Sequence, residues 1–239
     1  MYRIFNNNIP YFVIAGMGAV VTLIFCIRRA KGFSISNVML KIASSLSFIL
    51  SGVVALLCNP EQYAYGALII FGGALGMCGD ITLDLKGLHP DNKDSYMLSG
   101  FIFFLIGHVF YETALIYHTK MKLSIILICL AACVVFSFLN LASAKITKYV
   151  FGDYKFIVWL YSIFLAFTTA LSIAAMITTH FEKPYIIMTV GSLLFMLSDL
   201  ILSGTYFGEG QDKPFHYFTN HFTYYAAQFL IMASVLVMK

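Results

Sequence analysis

Eight stretches of about twenty apolar residues, joined by short polar connections, account for nearly the whole chain: 10–27, 38–58, 63–85, 97–117, 123–141, 156–178, 184–205 and 219–238. A helix of roughly twenty apolar residues is what crosses the hydrocarbon core of a bilayer. The alternative, a soluble domain, fails on charge. Only 11% of the 239 residues are Asp, Glu, Lys or Arg, against about 25% in a soluble domain. Such a chain cannot cover a water-facing surface, so most of its outer face meets lipid. The sequence therefore predicts an all-α polytopic membrane protein, one transmembrane domain over 1–239, with neighbouring helices packed antiparallel through short loops.

The first apolar run, Tyr11 to Cys26, is followed by Arg28-Arg29-Ala30-Lys31 and by no small-residue cleavage site. That is the wrong flank for a cleaved signal peptide, so the run reads as a retained spanning helix. Five cysteines lie in or beside apolar runs without metal-ligand spacing, which argues against disulfides and zinc. The net charge of +4 is small and sits in loops, giving no reason to invoke nucleic acid.

Lysine and arginine counts set the expected orientation. One set of connections holds Arg28, Arg29, Lys31, Lys86, Lys93, Lys145, Lys148, Lys155 and Lys213; the other holds Arg3, Lys120, Lys122, Lys183 and Lys239. The nine against five place the first set in the cytoplasm and both termini outside, with Lys41 snorkelling to the cytoplasmic side. Short loops and bare termini favour a bacterial inner membrane over the endoplasmic reticulum.

The two halves resemble each other. Aligned without gaps, 72–83 (GGALGMCGDITL) and 191–202 (GSLLFMLSDLIL) match Gly72 with Gly191 and Asp80 with Asp199. The offset is half the chain, so the expectation is two parallel four-helix repeats, 1–120 and 121–239, about an axis along the membrane normal. That axis would bring the third and seventh helices together, their aspartates facing at equal depth.

An aspartate in mid-helix costs roughly 2.5–3.5 kcal/mol on insertion scales, so Asp80 and Asp199 need a reason to be there. Each stands some six residues inside the expected cytoplasmic end of its helix, roughly 9 Å deep. Asp84, one turn nearer the surface, reads as paired with Lys86 and water. In the last helix His221, Tyr224 or Tyr225, and Gln228 share one face at the same depth. The tyrosines could equally belong to an interfacial belt, but an amide as deep as Gln228 requires partners. In the fourth helix His108, Tyr111 and Glu112 also share a face, either as site residues or as packing hydrogen-bonders. Glu-x-x-His pairs, HExxH, GxSxG and Walker sequences do not occur, so dimetal, zinc-protease, serine-hydrolase and nucleotide chemistry have no support.

Gly79-Asp80 with Leu83, Gly107-His108 with Tyr111, Ser198-Asp199-Leu200 and Tyr224-Tyr225-Ala226-Ala227-Gln228 together resemble the YhhN-like lysoplasmalogenase family. The resemblance implies an integral membrane hydrolase, without a cofactor or metal. It would cleave the vinyl-ether bond of lysoplasmalogen to a fatty aldehyde and glycerophosphoethanolamine or glycerophosphocholine. It further implies that Asp80 and Asp199 are the catalytic carboxylates. His108, Tyr111, His221, Tyr224, Tyr225, Gln228 and Asp84 are then the candidates for holding the lysophospholipid. Ser198 stands where the first half has Gly79, so the two aspartate motifs are not equivalent. Two rival readings stay open: a proton-coupled transporter, since paired intramembrane acids also serve carriers, and a lipid-binding protein without turnover.

Overall fold

The computed structural model describes residue 5 and residues 7–209 and 213–238. Its helices are α1 (Ile9–Lys31), α2 (Ile35–Cys58), α3 (Tyr63–Leu88), α4 (Lys93–Thr119), α5 (Leu123–Thr147), α6 (Lys155–Thr178), α7 (Lys183–Phe207) and α8 (Pro214–Val237). All eight expected helices are present, and most run two to six residues further than the apolar runs that announced them. Their ends follow local chemistry. Ser34 caps α2 by accepting the Asn37 backbone N–H at 3.3 Å. Proline stands in the first turn of α1, α7 and α8, where a missing N–H costs nothing. Pro214, outside the apolar run 219–238, is for that reason the first residue of α8.

Among the described residues seven helices, α1 to α7, are long and apolar enough to cross a membrane. Helix α8 is long enough, at about 36 Å, but its first half is too polar to qualify by hydropathy. The physical reason is its place. It packs against α1, α2, α3 and α7 and turns Asn220, His221, Tyr224, Tyr225 and Gln228 inward, away from lipid. Lipid is met instead by α5. Leu127, Ile128, Val135, Phe138 and Leu139 are exposed, Cys133 and Ser137 are that helix's buried residues, and α6 is its one substantial neighbour. The chain is thus a multi-pass membrane protein.

Sequence-adjacent helices pack together except α4 and α5, where α4 crosses to α6 instead. Shifting each helix by four maps α1–α2 onto α5–α6, α2–α3 onto α6–α7, α3–α4 onto α7–α8, and exchanges α4–α6 with α2–α8. The contact of α8 with α1 has no substantial counterpart, whereas that of α8 with α3 is matched by side-chain packing of α4 on α7. This neighbour list is a reason to propose that 1–120 and 121–239 are duplicated. It does not bring α3 and α7 side by side as the symmetry argument had them: they share no substantial interface. Phe104 of α4, Phe195 of α7 and Tyr224 of α8 pack mutually between them, with ring centroids 5.3 to 6.1 Å apart.

The matched glycines have a packing role. A Cβ on Gly72 would lie 2.9 Å from the Gly107 carbonyl of α4, and one on Gly191 would lie 3.2 Å from the Ala227 carbonyl of α8. Small residues of this kind let membrane helices approach closely. Gly107→Val should therefore lower the thermal midpoint in detergent by an amount equivalent to about 1–3 kcal/mol. An unchanged midpoint would mean that the close α3–α4 approach does not need glycine.

Candidate active site

Asp80 is eight residues before the end of α3, and Asp199 is eight before the end of α7. Both are therefore about 12 Å in from the lysine- and arginine-rich end of the bundle. They are deeper than the apolar runs suggested because both helices continue past them. Both line one cavity of about 1090 Å³ whose mouth lies among Arg29, Lys86, Lys93 and Asp153. The aspartates belong to different walls of it.

On the α3 wall, Asp80 is 4% exposed and fully engaged. Its Oδ2 accepts the Ser45 hydroxyl at 2.7 Å and the Tyr224 hydroxyl at 2.8 Å. Its Oδ1 faces the Lys41 ammonium at 3.4 Å. The same ammonium lies 3.2 Å from Asp84 Oδ1, so one buried cation serves two buried carboxylates. Lys41 does not snorkel. It stands six residues into α2, about 9 Å along the helix axis, and points inward, where ion pairing is worth more than reaching water. Asp84 is correspondingly paired with Lys41 and not with Lys86, whose ammonium sits 3.2 Å from the centroid of the Tyr206 ring.

A second layer braces this wall. The Tyr111 hydroxyl donates to Gln228 Oε1 at 2.9 Å, and Gln228 Nε2 donates to the Tyr224 hydroxyl at 3.3 Å. The Tyr225 hydroxyl donates to the Lys41 carbonyl at 3.2 Å and lies 3.0 Å from Ser45 Oγ. Buried hydroxyls and an amide thus converge on Asp80 and leave the network satisfied.

On the α7 wall, Asp199 takes the Tyr161 hydroxyl on Oδ2, and Ser198 Oγ stands 3.4 Å from Oδ1. No lysine or arginine lies within ion-pair distance of Asp199 among the described residues. Asn220 holds the backbone beside it, donating to the Ser198 carbonyl at 2.7 Å. The two carboxyl groups therefore differ in kind: one is locked to a cation, and the other is held by hydroxyls alone.

Of the residues singled out in the sequence, Asp80, Asp84, Asp199, His221 and Tyr224 line the cavity. Tyr111, Tyr225 and Gln228 are buried behind its wall as braces for Asp80. His108 lies further back: its Nδ1 is 3.0 Å from Thr168 Oγ1, which donates to Glu112 at 3.2 Å. Its ring packs on Phe195 with centroids 4.8 Å apart, so the packing reading fits it better than direct contact. The residues that sequence reasoning missed are Lys41, Ser45 and Tyr161. A lysine six residues inside an otherwise apolar helix was the available signal for the first. Nothing marked Tyr161 among fifteen tyrosines.

Helices, exposed apolar belt and enclosed acids define a polytopic helical membrane protein with an internal carboxylate site open toward one face. The YhhN family model matches residues 36–235, which takes in every residue named at the two aspartates, and the chain belongs to that family. No curated protein and no solved structure matches it.

Proposed function

We propose that the protein is a lysoplasmalogenase-like hydrolase, which cleaves the vinyl-ether bond of a lysophospholipid at the Asp80–Asp199 cavity. The observation that carries this reading is the unlike environment of two carboxyl groups in one lipid-depth cavity. Vinyl ethers hydrolyse through protonation of the β-carbon, which leaves an oxocarbenium ion for water to capture. The reaction needs one carboxyl that holds a proton and one that stays charged, a division known from other carboxylate pairs.

Asp80, beside Lys41 and accepting two hydroxyls, is the group that stays charged. Asp199, buried without a cation, is cheaper to keep neutral and is the proton donor. It protonates the β-carbon, and the Asp80 carboxylate stabilises the oxocarbenium and takes a proton from the attacking water. The hemiacetal then collapses, its hydroxyl proton passing to the departing glycerol oxygen, and the proton on Asp80 returns to Asp199 across the cavity. Water is consumed, and aldehyde and alcohol are formed, with both carboxyls restored. Tyr161 and Tyr224 fix the orientation of the two acids. The substrate enters with its single chain in hydrocarbon and its head at the mouth.

A carrier is the less favoured reading. Transporters bind at interrupted helices, whereas α3 and α7 run without a break from Tyr63 to Leu88 and from Lys183 to Phe207. Product analysis decides between them. Detergent-solubilised protein should release a long-chain aldehyde from a vinyl-ether lysolipid and leave the ester and saturated-ether analogues whole. Ester cleavage, or no aldehyde at all, would defeat the hydrolase reading.

A further inference from the structure

Two cations at the cavity mouth have no acidic partner among the described residues. The Arg29 guanidinium lies over the rings of Phe33 and Tyr217, 5.0 and 5.2 Å from their centroids. Its Nε is buried and has no hydrogen-bond partner among the described residues. Lys86 is held over Tyr206. Neither forms an ion pair among the described residues, yet both line the cavity. Neighbouring Arg28 behaves differently, donating to Ser36 at 2.9 Å and Asn37 at 3.4 Å to close the turn into α2.

Ring faces hold a cation by its charge and leave its N–H donors unspent. Among the described residues, Lys86 is repelled by Lys41, Lys93 and Arg29 and attracted by Asp84. Two of the nearby carboxylates are engaged elsewhere: Asp84 with Lys41, and Asp94 with the Tyr154 hydroxyl at 2.5 Å. Asp153 stands exposed on the turn Gly152–Tyr154. An excess of positive charge with free donors, gathered at one place, is a receptor for an anion with several oxygens.

We propose that Arg29 and Lys86 clamp the phosphate diester of the lipid headgroup, and that this clamp selects phosphate-bearing lipids for the site. Lys86 is six residues beyond Asp80 on α3, about 9 Å along the axis. In a vinyl-ether lysolipid, seven bonds separate the β-carbon from phosphorus, a reach of roughly 9 Å at ordinary bond lengths. A phosphate held at the mouth therefore leaves the reactive carbon at the depth of the aspartates. The inference rests on the cavity being a lipid site, but not on the chemistry performed there.

Binding without turnover tests it. The probes are a saturated-ether lysophosphatidylethanolamine, which has no vinyl bond, the corresponding alkylglycerol without phosphate, and free glycerophosphoethanolamine. The full-length wild-type protein should bind the first about tenfold or more tighter than the second. Arg29→Gln and Lys86→Gln should each erode that preference, their combination should abolish it, and Lys86→Arg should keep most of it. A wild-type protein that does not distinguish the first two probes would overturn the proposal without recourse to any variant. A double variant that retains the preference would do the same. Free headgroup binding as tightly as the lysolipid would show a site for soluble phosphate esters and would also overturn it. Vinyl-ether turnover measured in parallel separates the two ideas. Preference without turnover keeps the clamp and removes the hydrolase, whereas turnover with an unchanged KM in the double variant removes the clamp alone.

Discussion

Lys41→Met is expected to destabilise the protein by about 3–5 kcal/mol, the cost of leaving buried charge without its partner. Lys41 is 4% exposed and is the cation shared by Asp80 and Asp84, at 3.4 and 3.2 Å. Without it, two carboxylates one helical turn apart face each other in a site already removed from water. Ser45 and Tyr224 still donate to Asp80, but hydroxyls do not cancel charge. The loss should be read as a lowered thermal midpoint in detergent or as poor recovery of folded protein. Adding Asp84→Asn to Lys41→Met removes one orphaned charge and should recover part of the loss. A lysine whose removal changes neither quantity would be a solvated one, and the pairing described for it would be wrong.

The second large effect is on turnover. If the proposed chemistry holds, Asp199→Asn removes the proton donor and should cut aldehyde release by about 10²–10⁴-fold, the usual worth of a positioned acid. The asparagine is nearly isosteric and can still accept the Tyr161 hydroxyl, so the folded protein should survive. Asp80→Asn should cost a similar factor, since the oxocarbenium loses its counter-charge, while Lys41 keeps Asp84 as a partner. The two variants together should be scarcely worse than either alone, because the acids act as a unit. Turnover within several-fold of wild type in either single variant would contradict the assignment.

The helices were legible in the sequence because hydropathy alone dictates them: a run of twenty apolar residues has few alternatives in a lipid environment. The two aspartates were legible for the complementary reason, that a carboxyl in such a run is costly. Inward direction was harder to read. Lys41 looked like a snorkelling side chain because sequence shows depth along a helix but not which face turns to α3 and α8. Asp84 was assigned to the nearer cation, Lys86, and the structure assigns it to one 43 residues away. Tyr161 carried no mark at all, since a tyrosine near a helix end is ordinary in a membrane protein. Sequence symmetry implied contact between α3 and α7, where three aromatic rings from different helices intervene. Each of these depends on tertiary packing, which periodicity does not encode.

Helix α5 touches the rest of the bundle through α6 and offers lipid nearly all of its circumference. Lipid tails accept any apolar side chain of roughly similar bulk, so interchange of Leu, Ile and Val on the side of that helix away from α6 leaves its packing, such as Phe138 on Trp159, unaltered. The strongest hydropathy signal in the chain therefore marks its most permissive segment. Natural drift and deliberate labelling alike should be accommodated there with the least consequence for Asp80 and Asp199, which stand on other helices.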